Sequence, residues 1–127
     1  MDRVRVESWL GKRIVVVDGT DATAENYASI LRQGQAFLAQ EPPGSVLLAT
    51  VVTRARFAAG AAEHLKGYSR AIRPHVKASA VVGLSALQRV IFTTIRPFLH
   101  GSVRDFATLE EAKVWLASVG GPPKATP

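Results

Sequence analysis

A chain of 127 residues is the size of one domain and leaves no room for a second core. With 47% hydrophobic and 20% charged residues it has an ordinary globular balance, which excludes disorder for its body. It has no cysteine, so disulfide scaffolds, thiol nucleophiles, zinc fingers and iron–sulfur sites are excluded, and a reducing cytoplasm suits it.

The formal net charge of +6 is unevenly placed. Arg54 to Asp105 holds nine Lys/Arg against two acids, Glu63 and Asp105, while the flanking stretches are close to neutral. Such a segment attracts anions or serves as a solvated face, and the second is the preferred reading. No aromatics interleave the bases as a nucleic-acid stacking platform requires, so no specific nucleic-acid binding is expected. The opening MDRVRVESWL lacks a signal-peptide core, and no apolar run reaches the roughly 20 residues of a transmembrane helix. The expected location is the cytoplasm.

In chain order, Val4 and Val6 alternate with Arg3, Arg5 and Glu7, a half-buried strand. A turn at Gly11-Lys12 leads to Ile14–Val17, apolar on both faces and therefore expected inside the sheet. After Asp18-Gly19-Thr20-Asp21 the period changes. Tyr27, Ile30, Leu31, Gly34, Phe37 and Leu38 mark an amphipathic helix with Asp21 or Thr23 as N-cap, stopped by Pro42-Pro43-Gly44. Val46–Val52 reads as a central strand. A helix carrying Phe57, Ala61, Leu65, Tyr68 and Ile72 ends before Pro74. Ala78–Val82 is another buried strand. Ser85 with Gln88 forms a capping box for a third helix, whose expected apolar stripe is Leu87, Val90, Ile91, Ile95 and Phe98, broken at Pro97. Val103–Phe106 is the last strand, and Thr108 with Glu111 caps a helix turning Ala112, Trp115 and Leu116 inward, with Gly120-Gly121 at its end. The predicted fold is α/β: a single mixed, mostly parallel sheet opened by a β-hairpin and flanked by about four helices. Residues 1–118 are expected to form one domain, with 119–127 as a flexible tail.

Val76–Phe92 (VKASAVVGLSALQRVIF), Gly67–His75 (GYSRAIRPH) and Asp105–Leu116 (DFATLEEAKVWL) resemble the SpoIIAA-like family, also called STAS/CRAL-TRIO-like. Trp9-Leu10-Gly11-Lys12-Arg13-Ile14 and Thr53–Phe57 add to the resemblance, which spans about residues 9–118. It implies a sheet flanked by helices, akin to anti-sigma-factor antagonists and to the lipid-binding lobe of CRAL-TRIO transfer proteins. It implies no established reaction. Anti-sigma-factor antagonists carry a phosphorylatable serine, usually after Asp, where a central strand turns into a helix. The corresponding turn, Val52-Thr53-Arg54-Ala55-Arg56, has Thr53 as its lone hydroxyl and no Asp-Ser. Thr53 is the candidate phosphosite, set against its ordinary use at a strand end or helix cap. The expectation is that the chain acts without a phospho-switch.

His64, His75 and His100 lack metal-ligand or dyad spacing, and no carboxylates are paired for acid–base work. Asp18 and Asp21 read as turn formers, and Ser85 as a cap. No catalytic residue, metal ligand or cofactor is therefore expected. The third helix is the candidate binding element, with more apolar surface than one sheet contact uses. Its candidate ligand-binding residues are Arg89, Arg96, Phe92, Ile95 and Leu99. Arg89 and Arg96 lie two turns apart on one side; beside an apolar cleft they would receive a carboxylate or phosphate, or else be solvated or pair with Asp105 or Glu63. The expected function is a non-enzymatic binding or regulatory module engaging a protein partner, a homodimer being one form of that. The alternative is a carrier or sensor of a small apolar anion such as a fatty acid or lipid.

Overall fold

β1 (Val4–Trp9) and β2 (Lys12–Asp18) pair antiparallel as the expected hairpin in the computed structural model, which describes residues 3–56, 60–96 and 102–120. The chain continues through α1 (Tyr27–Leu38), β3 (Val46–Val51), α2 (Ala61–Ile72), a short 3₁₀ turn at Arg73–His75, β4 (Val76–Val82), α3 (Ala86–Ile95), β5 (Ser102–Phe106) and α4 (Leu109–Gly120). The five strands lie in the order β1-β2-β3-β4-β5, and every pairing after the hairpin is parallel. β2 and β3 are interior, and each turns branched apolar residues to both faces, as the apolar run of β2 and that of β3, interrupted only by Thr50, require.

Stepping in one direction with right-handed crossovers places the connecting helices on one face of the sheet. Val15, Val17 and Leu48 meet Ile30, Leu31 and Leu38 of α1 and Tyr68 and Ile72 of α2 on that face. α1 comes close: a Cβ on Gly34 would stand 3.0 Å from Val17 Cγ2 and 3.3 Å from Tyr68 Cε1. α3 packs beside α2 on the same side. The opposite face belongs to α4, whose Ala112 and Leu116 cover Ile14, Val16, Leu47 and the small Ala49, Ala78 and Ala80.

Five local expectations change. α1 begins after Asn26, not at Asp21 or Thr23. Thr23 and Asn26 exchange hydrogen bonds in the turn ahead of it: Asn26 N–H donates to Thr23 Oγ1 (3.2 Å) and Thr23 N–H to Asn26 Oδ1 (2.8 Å). β4 starts two residues earlier, at Val76, because the 3₁₀ turn after Ile72 delivers the chain straight into the ladder. Trp115 is half-buried, not enclosed; its ring lies over Phe106 at 5.6 Å with the Arg104 guanidinium above it. On α3 the expected stripe faces outward at two positions: Leu87 is 72% and Val90 62% exposed, while Phe92 is buried. Phe57, Pro97 and Phe98 lie outside the described residues, as do the side chains of Ile91 and Ile95. α4 extends to Gly120, with Val119 against the core.

Candidate functional site

The carboxyl ends of β2 and β3 carry two short turns that grip each other. Asp21 N–H donates to the Thr53 carbonyl (2.9 Å) and Arg56 N–H to the Ala22 carbonyl (2.7 Å). Asp21 and Arg54 both take left-handed backbone angles, φ 59° and 54°. That conformation is costly for a side-chain-bearing residue, and here it aims the two side chains at one another. Arg54 Nε and Nη2 donate to the Asp21 carboxylate at 2.8 and 3.1 Å. The guanidinium holds Asp21 below its ordinary pKa. Asp18 is a turn former in fact: its Oδ1 accepts from Thr20 N–H (2.9 Å) and Oγ1 (2.5 Å), and its Oδ2 from Arg5 Nη1 (2.8 Å). Burial works to raise its pKa, but the bonds from Thr20 and Arg5 outweigh it and leave the carboxyl below its ordinary value.

Thr53 sits half-buried between these turns and Gly83 at the end of β4. Gly83 has φ 86°, and a Cβ there would overlap Thr53 Oγ1 and stand 2.9 Å from Thr53 Cα. The threonine thus fills the gap between two strand ends.

Under the same turns, between β3, α1 and α2, lies a cavity of about 20 Å³, lined by residues including Val17, Tyr27, Ile30, Val52, Ala55 and Leu65. That is room for about one water and far short of an acyl chain. It belongs to α1 and α2, not to the α3 residues of the sequence-based site. Its polar neighbour is Thr50, whose hydroxyl is 3.3 Å from that of Tyr68, both side chains being buried.

α3 is fastened at its start and along one side. Its capping box forms as expected: Gln88 N–H donates to Ser85 Oγ (3.1 Å) and Ser85 N–H to Gln88 Oε1 (3.0 Å). Gln88 Nε2 also donates to the Ala55 carbonyl (2.7 Å), tying α3 to the turn after β3. Arg89 Nε pairs with Asp105 on β5 at 3.3 Å. Arg96 caps the helix with its guanidinium 6.0 Å from the Phe92 ring centre. Among the candidate binding residues, then, Phe92 is packing, Arg89 is an ion-pair partner, and Arg96 is exposed. Leu99 and the side chain of Ile95 lie outside the described residues. Sequence periodicity passed over Leu87 and Val90 as exposed groups because they fit a helical stripe; the signal against that was Phe92, a larger apolar side chain on the other side of the helix.

Among the described residues no group of three or more His, Asp or Glu could hold a metal ion, and no helix is long and apolar enough to cross a membrane. The arrangement defines a small α/β domain with three crossover helices on one face of a mostly parallel sheet and a single helix on the other. A profile of the SpoIIAA-like family matches residues 14–117, and the chain belongs to that family. An uncharacterised protein with a SpoIIAA-like fold from Shewanella loihica is similar in structure, with a TM-score of 0.67 over 89% of this chain and 91% of that one, at 17% sequence identity. No curated protein matches the sequence.

Proposed function

We propose that the chain is a non-enzymatic binding module that engages a protein partner through the outer face of α3. The observation that carries this is the exposure of Leu87 and Val90, 72% and 62%, on a helix whose other side is anchored by Phe92, Gln88 and Arg89. Apolar side chains one turn apart on a fixed helix make a ready anchor pair for a complementary groove. Engaging a partner from the fixed face of a small domain is a regulatory mode, and it asks for no cofactor.

The carrier reading draws less support. Arg89 is already paired with Asp105, and the cavity beneath the strand ends holds about one water. Native mass spectrometry of the protein from its own host separates the two. A partner-bound or dimeric species that disappears in a Leu87→Ser/Val90→Ser variant, with the melting temperature unchanged, supports the module. A co-purified fatty acid or lipid retained by both proteins supports the carrier. Identical unliganded spectra for both overturn the α3 interface.

A further inference from the structure

The parallel register sorts the charges along the strand direction. The amino ends of β2 to β5 lie together, since Ile14, Leu47, Ala78 and Ser102 are successive ladder partners. Cross-links at that end confirm the grouping: Arg13 Nη1 reaches Glu41 Oε1 at 2.6 Å, His75 Nδ1 lies 2.8 Å from the Glu41 carbonyl, which can only accept, and Gly44 N–H donates to the Pro74 carbonyl (2.9 Å). Lys12, Arg13, Arg73 and Lys77 stand there, joined by Arg70 in the last turn of α2 and Arg96 at the end of α3. Among the described residues the acids at this end are Glu41, paired with Arg13, and Glu7, which lies beside Ile14 and is already held by Arg5 and Lys113, while Asp18, Asp21, Glu63, Asp105, Glu110 and Glu111 gather at the carboxyl ends of the strands or in helical first turns.

The β1–β2 hairpin turn projects from the same end. Leu10 is 78% exposed and holds a left-handed backbone, φ 51°, followed by Gly11 at φ 77°. Two positive φ values are the requirement of a tight hairpin turn, and Asn or Gly meets the first at little cost. A leucine there is unfavourable twice over, in backbone strain and in exposed apolar surface.

We infer that the amino-terminal end of the sheet is a second interaction surface, which takes an extended acidic protein segment with Leu10 as its apolar anchor at one edge and the bases along that end, from Lys12 to Arg73, as its charged part. An exposed apolar side chain beside a row of bases has the makings of a protein interface, an apolar anchor with a polar margin. A nucleic-acid backbone would use the bases and leave Leu10 without an apolar counterpart. A bilayer surface calls for a wider apolar face than one side chain offers. The surface is separate from the outer face of α3 and stands without the reading given to that helix.

The test is fluorescence anisotropy with a labelled synthetic peptide alternating glutamate and leucine. Binding should weaken as salt is raised. Arg73→Glu should weaken it about tenfold, whereas Arg56→Glu, an equal change of net charge at the other end, should leave it within about twofold. Leu10→Asn should weaken it about fivefold without lowering the melting temperature, since asparagine tolerates that backbone. Leu87→Ser/Val90→Ser should not change it, whatever becomes of the α3 interface. The inference falls if the two charge reversals act alike, if Leu10→Asn binds as the parent does, if the peptide does not bind, or if duplex DNA or phosphatidylglycerol vesicles displace the peptide from the parent and from Leu10→Asn equally.

Discussion

Tyr68→Phe should make the protein less stable at neutral pH and more stable than the parent in strong alkali. Tyr68 is 4% exposed, and its hydroxyl lies 3.3 Å from that of Thr50. Burial pushes its phenol from 10 up to about 12, and the Thr50 bond only partly offsets that. Near neutrality the variant loses one long hydrogen bond, worth about 1 kcal/mol. Above pH 10 the unfolded chain ionises its tyrosine while the folded protein resists, so this contribution to stability is complete below 10 and disappears as pH rises through the folded value of about 12. Two pH units of difference correspond to roughly 2–3 kcal/mol in all. The parent should therefore drop below the variant at about pH 11, where half of that loss has accrued. Urea unfolding midpoints measured for both proteins at steps from neutral to alkaline pH give the two curves. The tyrosinate absorbance band reports whether the folded parent titrates one tyrosine late. Parallel curves that never cross would refute the claim that Tyr68 is sealed in an apolar layer between α2 and β3.

Phe92→Ala should cost about 3–5 kcal/mol by thermal or urea unfolding, while Leu87→Ala and Val90→Ala should each stay within about 0.5 kcal/mol; larger losses at Leu87 and Val90 than at Phe92 would mean that α3 is turned the other way. Gly83→Ala should cost roughly 2–3 kcal/mol, from its positive φ and the overlap with Thr53 together, and adding Thr53→Gly should recover part of it by relieving the overlap alone. Stability should fall in acid through Glu7 and Asp18: Lys113 and then Arg5 hold Glu7 below its ordinary 4.5, and Thr20 with Arg5 outweighs burial at Asp18 to hold it below 3.8. The stabilisation is present above those values and goes as pH drops through the lowered folded ones. Urea midpoints from about pH 6 to about pH 2 should fall less steeply for Glu7→Gln than for the parent.

The order of elements was readable because it rests on local chemistry. Period two at Val4–Glu7, the apolar run Ile14–Val17, the nearly apolar Val46–Val51, and the side-chain oxygens of Ser85 and Thr108 three residues ahead of Gln88 and Glu111 act within one turn or one strand, and each forms as expected. The family was readable for the same reason, since its motifs are contiguous. Orientation was not. α3 carries apolar residues on more than one side, and nothing in its own sequence says which side docks; Asp105 on β5 and the Ala55 carbonyl, both distant in the chain, decide it by holding Arg89 and Gln88. Trp115 was expected inward with Leu116, but the sheet beneath α4 is paved with small alanines, which admit Ala112 and Leu116 and leave the larger ring at the margin over Phe106. The basic end of the molecule was hidden because Lys12 and Arg13 are more than fifty residues from Arg70, Arg73 and Lys77 in the sequence. Local periodicity determines which segments become helix or strand. Which faces are buried, which charges meet and which apolar side chains are left to solvent depend on contacts between segments far apart, and only parallel pairing brings those together.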